Sequence, residues 1–216
     1  MVEIKFCGLT RSEDAAHAAT LGASYCGAIF AESPRRVTAP QARSVFAALP
    51  KSVKRVGVFG ATSPGEIARI ADEAQLDVVQ LHSDPDPATI AVVRKVFRGL
   101  VWAVRRVSGR DLPDDLAPLF DVADGVVLDA RVEGKLGGTG VALPWQSLRA
   151  QLDKQRGRTA RLVLAGGLNP TNVARAIADM EPDIVDVSSG VEAAPGVKDH
   201  ALMRAFRDAA LATALR

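Results

Sequence analysis

The stretch RLVLAGGLNPTNVARAIADMEPDIVDVSSGVE, residues 161–192, decides the fold. Apolar runs at 161–167 and 183–190 flank a segment that starts at Asn169–Pro170 and has the apolar spacing of a helix. Runs that are almost continuously apolar are typical of parallel strands covered on both faces. The stretch therefore predicts one strand–helix–strand unit.

The same alternation of apolar run and helical segment extends over the whole chain. A single (β/α)8 barrel, spanning residues 1–216 as one domain, is therefore the predicted fold. A doubly wound sheet is the alternative, but it needs fewer strands, and the chain lacks the GxGxxG and GxxxxGK[ST] motifs of its nucleotide-binding versions. The eight runs are IKFCGL (4–9), YCGAIF (25–30), RVGVFG (55–60), DVVQLH (77–82), LVWAVRRV (100–107), GVVLDA (125–130), RLVLAGG (161–167) and DIVDVSSG (183–190).

Helix-start signals lie between these runs. Thr10 with Glu13 has the spacing of a capping box. Thr38 with Pro40 and Gln41, and Ser63 with Pro64 and Glu66, are typical of two further helix starts. These signals predict three helices.

Composition excludes several classes of protein. The 216 residues are 48% hydrophobic and 24% charged with a net charge of +2, which indicates a globular protein with no nucleic-acid or membrane partner. No apolar run approaches the roughly 18 residues that a membrane helix needs. Cys7 and Cys26 are the only cysteines, which favours a reducing compartment, and we expect a cytoplasmic protein.

Polar and reactive residues stand where the predicted strands end. A (β/α)8 barrel builds its site from the carboxyl ends of its strands, so these residues are expected to converge on one mouth. They are Cys7, the pair Arg35 and Arg36, Gln80 and His82, Arg105 and Arg106, Asp129, and then Asp186, Ser188 and Ser189.

Two glycine-containing loops indicate a phosphate ligand. Gly166 and Gly167 in LAGGLNP allow a close backbone approach, and Ser188 to Gly190 in DVSSG form a short turn rich in amides and hydroxyls. Barrels commonly bind phosphate with the loops after strands 7 and 8, which is where these two loops fall.

Cys7 and Asp129 are the candidate proton-transfer pair. A thiolate can accept a proton and a carboxylic acid can donate one, which favours proton transfer over hydrolysis. The alternatives are a cysteine that only fills the core and an aspartate that serves a structural ion pair.

The motifs KFCGLT, VVQLH, VVLDA…GGTG…W, LAGGLNPTNV and DVSSGVE…PGVKD together resemble those of the phosphoribosylanthranilate isomerase family, from residue 4 to about 206. The resemblance implies a (β/α)8 barrel that needs no cofactor or metal. It implies an Amadori rearrangement of N-(5-phosphoribosyl)anthranilate in tryptophan biosynthesis, with Cys7 as general base and Asp129 as general acid.

The resemblance also implies the binding residues. An arginine after strand 2 contacts the anthranilate carboxylate; the motif places Arg35 there, and Arg36 is the alternative. The other implied contacts are Gly166, Gly167, Ser188, Ser189 and Gly190 for the phosphate, Asp186 on the anthranilate side, and Gln80 and His82 for positioning.

The sequence allows two alternative functions. The isomerase of histidine biosynthesis uses an aspartate where this chain has Cys7, and a barrel that only binds a phosphate ligand has no need of an acid and a base. We expect a small phosphorylated substrate and a monomer rather than a homodimer. A glycine-rich segment at 131–141 is either a flexible loop or a lid.

Overall fold

A computed structural model describes residues 1–108, 111–131, 145–155 and 159–212. Within these ranges eight parallel strands form a closed barrel in chain order, and β1 pairs with both β2 and β8. The barrel strands are β1 Glu3–Phe6, β2 Tyr25–Ile29, β3 Lys54–Phe59, β4 Val78–Leu81, β5 Leu100–Ser108, β6 Gly125–Arg131, β7 Arg161–Ala165 and β8 Ile184–Val187.

Helices connect the strands and cover the outside of the barrel. They are α1 Ser12–Thr20, α2 Ala39–Phe46, α3 Pro64–Glu73, α4 Pro87–Val96, α5 Ala117–Val122, α6 Trp145–Gln155, α7 Val173–Met180 and α8 His200–Leu211. A 3₁₀ turn, Ser189–Val191, follows β8 and leads into a small hairpin of β9 Glu192–Ala194 and β10 Val197–Lys198. The predicted (β/α)8 barrel is confirmed.

The alternation of side chains along the strands divides the apolar residues between two cores. One set lies between barrel and helices; the other fills the barrel interior. Inside, the Trp102 ring packs against Tyr25 with ring centroids 4.9 Å apart, and a Cβ at Gly125 would come within 2.8 Å of the Trp102 ring. Apolar side chains therefore fill the barrel interior, and polar side chains occupy its end at the carboxyl termini of the strands.

The helix-start predictions have mixed outcomes. The helices predicted after Thr38 and Ser63 are present: Thr38 forms a capping box with Gln41, and Ser63 accepts from the third amide of its helix. The Thr10 prediction is wrong: α1 starts at Ser12 with Arg11 as its N-cap, and the Arg11 side chain makes no capping hydrogen bond. Instead the Thr10 hydroxyl donates to the Gly196 carbonyl at 2.6 Å. A contact distant in sequence therefore replaces the predicted helix cap.

The segment predicted as a loop or lid, 131–141, lies almost wholly outside the described residues. Over the part of the chain that is described, no helix combines the length and apolar character needed to cross a bilayer.

Candidate active site

Cys7 lies at the barrel mouth immediately after β1. Its amide donates to the Val187 carbonyl at 2.9 Å, which continues the β1–β8 ladder by one residue and fixes the direction of the thiol. The residue is 7% exposed. A Cβ added at Gly27 would lie 3.0 Å from the Cys7 sulfur, so the glycine on β2 leaves room for the thiol.

Lys5 is the charged group nearest the thiol on its own strand. Its side chain is fully buried, and its ammonium donates to Asp186 Oδ2 at 2.6 Å across the β1–β8 register. Burial raises the pKa of Cys7, and the positive charge of Lys5 opposes that rise. The thiol thus lies in a dry environment beside one buried ion pair.

Asp129 lies near the end of β6 and faces the same mouth. It is 9% exposed, and its Oδ2 is 3.3 Å from Nε2 of His82, which follows β4. The inward alternation of Val127 and Asp129 places the carboxylate above the filled interior. The structure therefore brings both members of the predicted acid–base pair to the carboxyl end of one barrel.

A cavity of about 570 Å³ opens beside His82 on the β2–β5 side of the mouth. Arg36 and Arg106 line it, together with apolar side chains such as Ile29 and Val58. Arg106 is held there because it donates to the His82 carbonyl at 3.2 Å. The cavity therefore offers two guanidinium groups beside an apolar wall, with the Glu32 side chain also in its lining.

A second cavity, of about 600 Å³, lies between α3 and α4, with Ile67, Val92 and Val93 in its lining. It contains none of the predicted site residues, so it is not the site of the chemistry that the motifs indicate.

The two arginines after β2 are held differently. Arg35 Nη2 is 2.6 Å from Glu192 Oε2, and Glu192 also accepts from the Lys198 ammonium at 2.8 Å. Arg36 is exposed and lines the cavity. The structure therefore ties Arg35 to the hairpin after β8 and places Arg36 beside the mouth.

The loops predicted for phosphate have the required backbone. Gly166 and Gly167 have φ of +90° and +65°, in the region that favours glycine. A Cβ at Gly190 would collide with the Leu168 carbonyl, so the loops after β7 and β8 pack closely. A Cβ at Gly8 would come within 2.9 Å of the Ser188 hydroxyl, which joins this region to the Cys7 loop.

Several buried polar atoms at the mouth have no partner among the described residues. Each buried polar atom without a hydrogen bond destabilises the folded protein by about 1–3 kcal/mol, unless a ligand or a water molecule binds it. The mouth atoms concerned are Gln80 Oε1, His82 Nδ1, Asp186 Oδ1 and Ser188 Oγ.

The sequence did not indicate Lys5, Glu192 or Lys198 as site residues, whereas Arg106 was among the strand-end residues expected at the mouth and lines its cavity. Lys5 had a signal, since it is a lysine inside an otherwise apolar strand, and a buried lysine requires a partner. Glu192 and Lys198 had none, because only the hairpin brings them together. Within the described residues, no group of three or more His, Cys, Asp or Glu could hold a metal ion.

Fold and site define a (β/α)8 barrel with a thiol, carboxylates and glycine-rich loops at its carboxyl-end mouth. A family model for N-(5'-phosphoribosyl)anthranilate (PRA) isomerase matches residues 4–209. The chain therefore belongs to the PRA isomerase family, and it is an enzyme.

Individual relatives agree over nearly the full length. The N-(5'-phosphoribosyl)anthranilate isomerase of Pseudomonas fluorescens (strain Pf0-1) is 46% identical, covering 96% of this chain and 98% of its own. Monomers generated from the dimeric enzyme of Thermotoga maritima have a TM-score of 0.81 at 36% identity, covering 98% and 100%. A phosphoribosyl anthranilate isomerase in complex with reduced 1-(o-carboxyphenylamino)-1-deoxyribulose 5-phosphate has a TM-score of 0.82 at 34% identity, again covering 98% and 100%.

Proposed function

We propose that this protein converts N-(5'-phosphoribosyl)anthranilate into 1-(2-carboxyphenylamino)-1-deoxyribulose 5-phosphate in tryptophan biosynthesis, by acid–base catalysis without a cofactor. One observation carries the proposal: Cys7 after β1 and Asp129 on β6 both face the mouth of a barrel whose family performs this reaction. A relative that binds the reduced product analogue supports the same substrate.

Asp129 supplies the first proton. As the acid it protonates the furanose ring oxygen, and the bond from that oxygen to C1 breaks to give a protonated Schiff base. His82, 3.3 Å away, steadies the carboxyl group. The buried position of Asp129 keeps water from competing for the proton.

Cys7 then acts as the base. Its thiolate removes the proton from C2, because the positively charged imine next to that carbon makes the proton acidic. The electron pair moves to form an enolamine. The Cys7 thiol then gives its proton to C1 while the enol hydroxyl on C2 gives its proton to the Asp129 carboxylate, which leaves the ketone and restores both groups. Each proton removed is returned, so the reaction is an isomerisation.

The binding groups divide between the two sides of the mouth. Ser188, Ser189 and Gly190, with Gly166 and Gly167, hold the phosphate. The buried Ser188 hydroxyl, which has no partner among the described residues, supports this assignment. These loops are those after β7 and β8.

Arg36 holds the anthranilate carboxylate, supported by its place in the cavity and by the binding of Arg35 to Glu192. Asp186 and Gln80 line the space between, and each has one buried oxygen without a partner among the described residues.

Three further assignments belong to this proposal. The chain forms one domain, which limited proteolysis would test by leaving a single resistant core. It is monomeric, since the large hydrophobic side chains exposed on the described surface are only Met1, Val92, Val96 and Leu202; light scattering tests this. The protein is cytoplasmic, which the two free buried cysteines support, and cell fractionation tests it.

The decisive experiment follows the fluorescence of phosphoribosylanthranilate after addition of the purified protein, with the histidine-pathway aminoaldose assayed beside it. We expect rapid decay with the first substrate. Turnover of the histidine-pathway substrate alone would assign the protein to the rival isomerase, and turnover of neither would leave a binding protein.

A further inference from the structure

Lys5 is a buried cation of the barrel interior that takes no part in the two proton transfers. Its side chain is inaccessible to solvent, and its ammonium lies 2.6 Å from Asp186 Oδ2. Burying a charge is expensive unless it is paired, and hydrophobic residues of similar volume often serve stability equally well. The position therefore calls for an explanation beyond packing.

Lys5 also lies against the catalytic thiol. A Cβ added at Gly27 would be 3.0 Å from the Cys7 sulfur and 3.3 Å from Lys5 Cε, so both side chains pack against the same point on β2. Residues 5 and 7 are two apart on one strand, so their side chains point to the same face. The end of the lysine thus lies between two groups that can carry negative charge, the sulfur and the Asp186 carboxylate.

We propose that Lys5 is a positioning residue that makes the Cys7 thiolate available by placing one buried positive charge between the sulfur and the Asp186 carboxylate. The inference rests on the proposed role of Cys7 as the base and adds the group that sets its charge. Lys5 does not touch the substrate; it acts through Cys7 and Asp186.

The electrostatics follow from this placement. Burial disfavours the thiolate, Lys5 favours it, and Asp186 disfavours it. Burial also opposes the charge on Lys5, but Asp186 and Cys7 outweigh it and raise the pKa of the ammonium, so Lys5 stays protonated. Without Lys5, a thiolate would face the Asp186 carboxylate with no cation between them.

Other groups around the sulfur do not replace Lys5. Lys198 on β10 favours the thiolate, but Glu192 binds its ammonium at 2.8 Å. Arg35, after β2, is held by the same glutamate. Cys26 on β2 has a pKa raised to about 12 by burial and stays a neutral thiol.

Lys5 has a second effect on Asp186. It binds Oδ2 and leaves Oδ1 buried without a partner among the described residues. The ion pair therefore holds the carboxylate in one orientation and leaves Oδ1 able to accept a hydrogen bond from a ligand.

The test measures the rate of Cys7 alkylation by iodoacetamide as a function of pH, since only the thiolate reacts. Trypsin separates the two cysteines, because cleavage after Lys5 and Arg11 gives the peptide 6–11, and Cys26 lies in 12–35. In the variant Lys5→Met the first peptide becomes 1–11, so the mass assignment stays unambiguous. The control is Lys54→Met, at an exposed lysine that begins β3.

Lys5→Met is expected to move the alkylation midpoint upward by about 1 pH unit or more, which lowers the thiolate fraction at neutral pH about tenfold. The kcat should fall at neutral pH and recover in part as the pH is raised, a pattern that a loss of packing would not produce. Lys54→Met should leave midpoint and kcat unchanged. An unmoved midpoint in folded Lys5→Met overturns the inference.

Asp186→Asn provides an independent arm if Lys5→Met does not fold. Without the negative charge of Asp186, the Lys5 ammonium interacts with the Cys7 sulfur alone, so the alkylation midpoint should move to lower pH. The double variant should return towards the wild-type value. An unmoved or raised midpoint in Asp186→Asn contradicts the inference. Because alkylation needs no turnover, its outcome is separate from the test of Cys7 as the base, which is the activity of Cys7→Ala.

Discussion

Replacing Glu192 with Gln tests the buried network behind the phosphate loops. The Glu192 side chain is 5% exposed and lies between Arg35 at 2.6 Å and Lys198 at 2.8 Å, and the Lys198 side chain is wholly buried. The substitution leaves two cations close together with no anion between them. Removing one partner of a buried ion pair costs about 3–5 kcal/mol, so the free energy of unfolding should fall by about that amount.

Thermal and urea unfolding at pH 7 measure this loss. For a chain of this size each kcal/mol shifts the Tm by about 2–4 °C, so a decrease of roughly 6–20 °C is expected. Glu73→Gln is the matched control, because Glu73 forms an exposed ion pair with Arg69 on α3 and should change the stability by about 0.5 kcal/mol or less.

The pH dependence gives a second check. Burial alone would raise the pKa of Glu192, but the hydrogen bonds from Arg35 and Lys198 lower it below the ordinary value. Its contribution is therefore complete above the unfolded pKa of about 4.3 and is lost as the pH falls through the folded value. The stability gap between wild type and Glu192→Gln should narrow in acid. A difference in unfolding free energy below about 1 kcal/mol at pH 7, or a difference that stays constant in acid, would refute the role of Glu192 as the buried anion between Arg35 and Lys198.

Two further predictions concern binding. Arg36→Met should raise the KM about 10- to 100-fold with little change in kcat, because one charge-assisted contact to the anthranilate carboxylate is worth about 1.5–3 kcal/mol. Arg43→Met, at an exposed position on α2, is the control. An unchanged KM in Arg36→Met would show that Arg36 does not bind the carboxylate. Ser188→Ala should raise both the KM and the inhibition constant of inorganic phosphate about tenfold or more. Ser44→Ala, on the exposed face of α2, is its control, and equal effects of the two substitutions would contradict the phosphate assignment.

The barrel could be predicted because each strand carries its own local signal. A strand covered on both faces has to be apolar along its length, so eight such runs separated by helical segments leave few arrangements. The positions of Cys7 and Asp129 at the mouth follow from the same rule, since both stand at strand ends.

The features that the sequence did not predict have a common physical cause. Thr10 has the spacing of a helix cap, yet its hydroxyl binds the Gly196 carbonyl 186 residues away, and no local pattern reports such a contact. Arg35 and Arg36 are adjacent in sequence and carry the same charge, so the sequence alone does not distinguish their roles. In the structure, Glu192 binds Arg35. Residues that act through tertiary contacts, such as Lys5, can be identified as site residues only from a structure in which the strands lie side by side.

The central claim is that Cys7 and Asp129 transfer the protons, and single-turnover decay of phosphoribosylanthranilate fluorescence tests it most directly. Cys7→Ala and Asp129→Asn are each expected to reduce the rate by about 10²–10⁴-fold while the fold and phosphate binding survive. Cys26→Ala, which changes the other buried thiol, should retain near-wild-type turnover. Near-normal decay with folded Cys7→Ala would contradict the account.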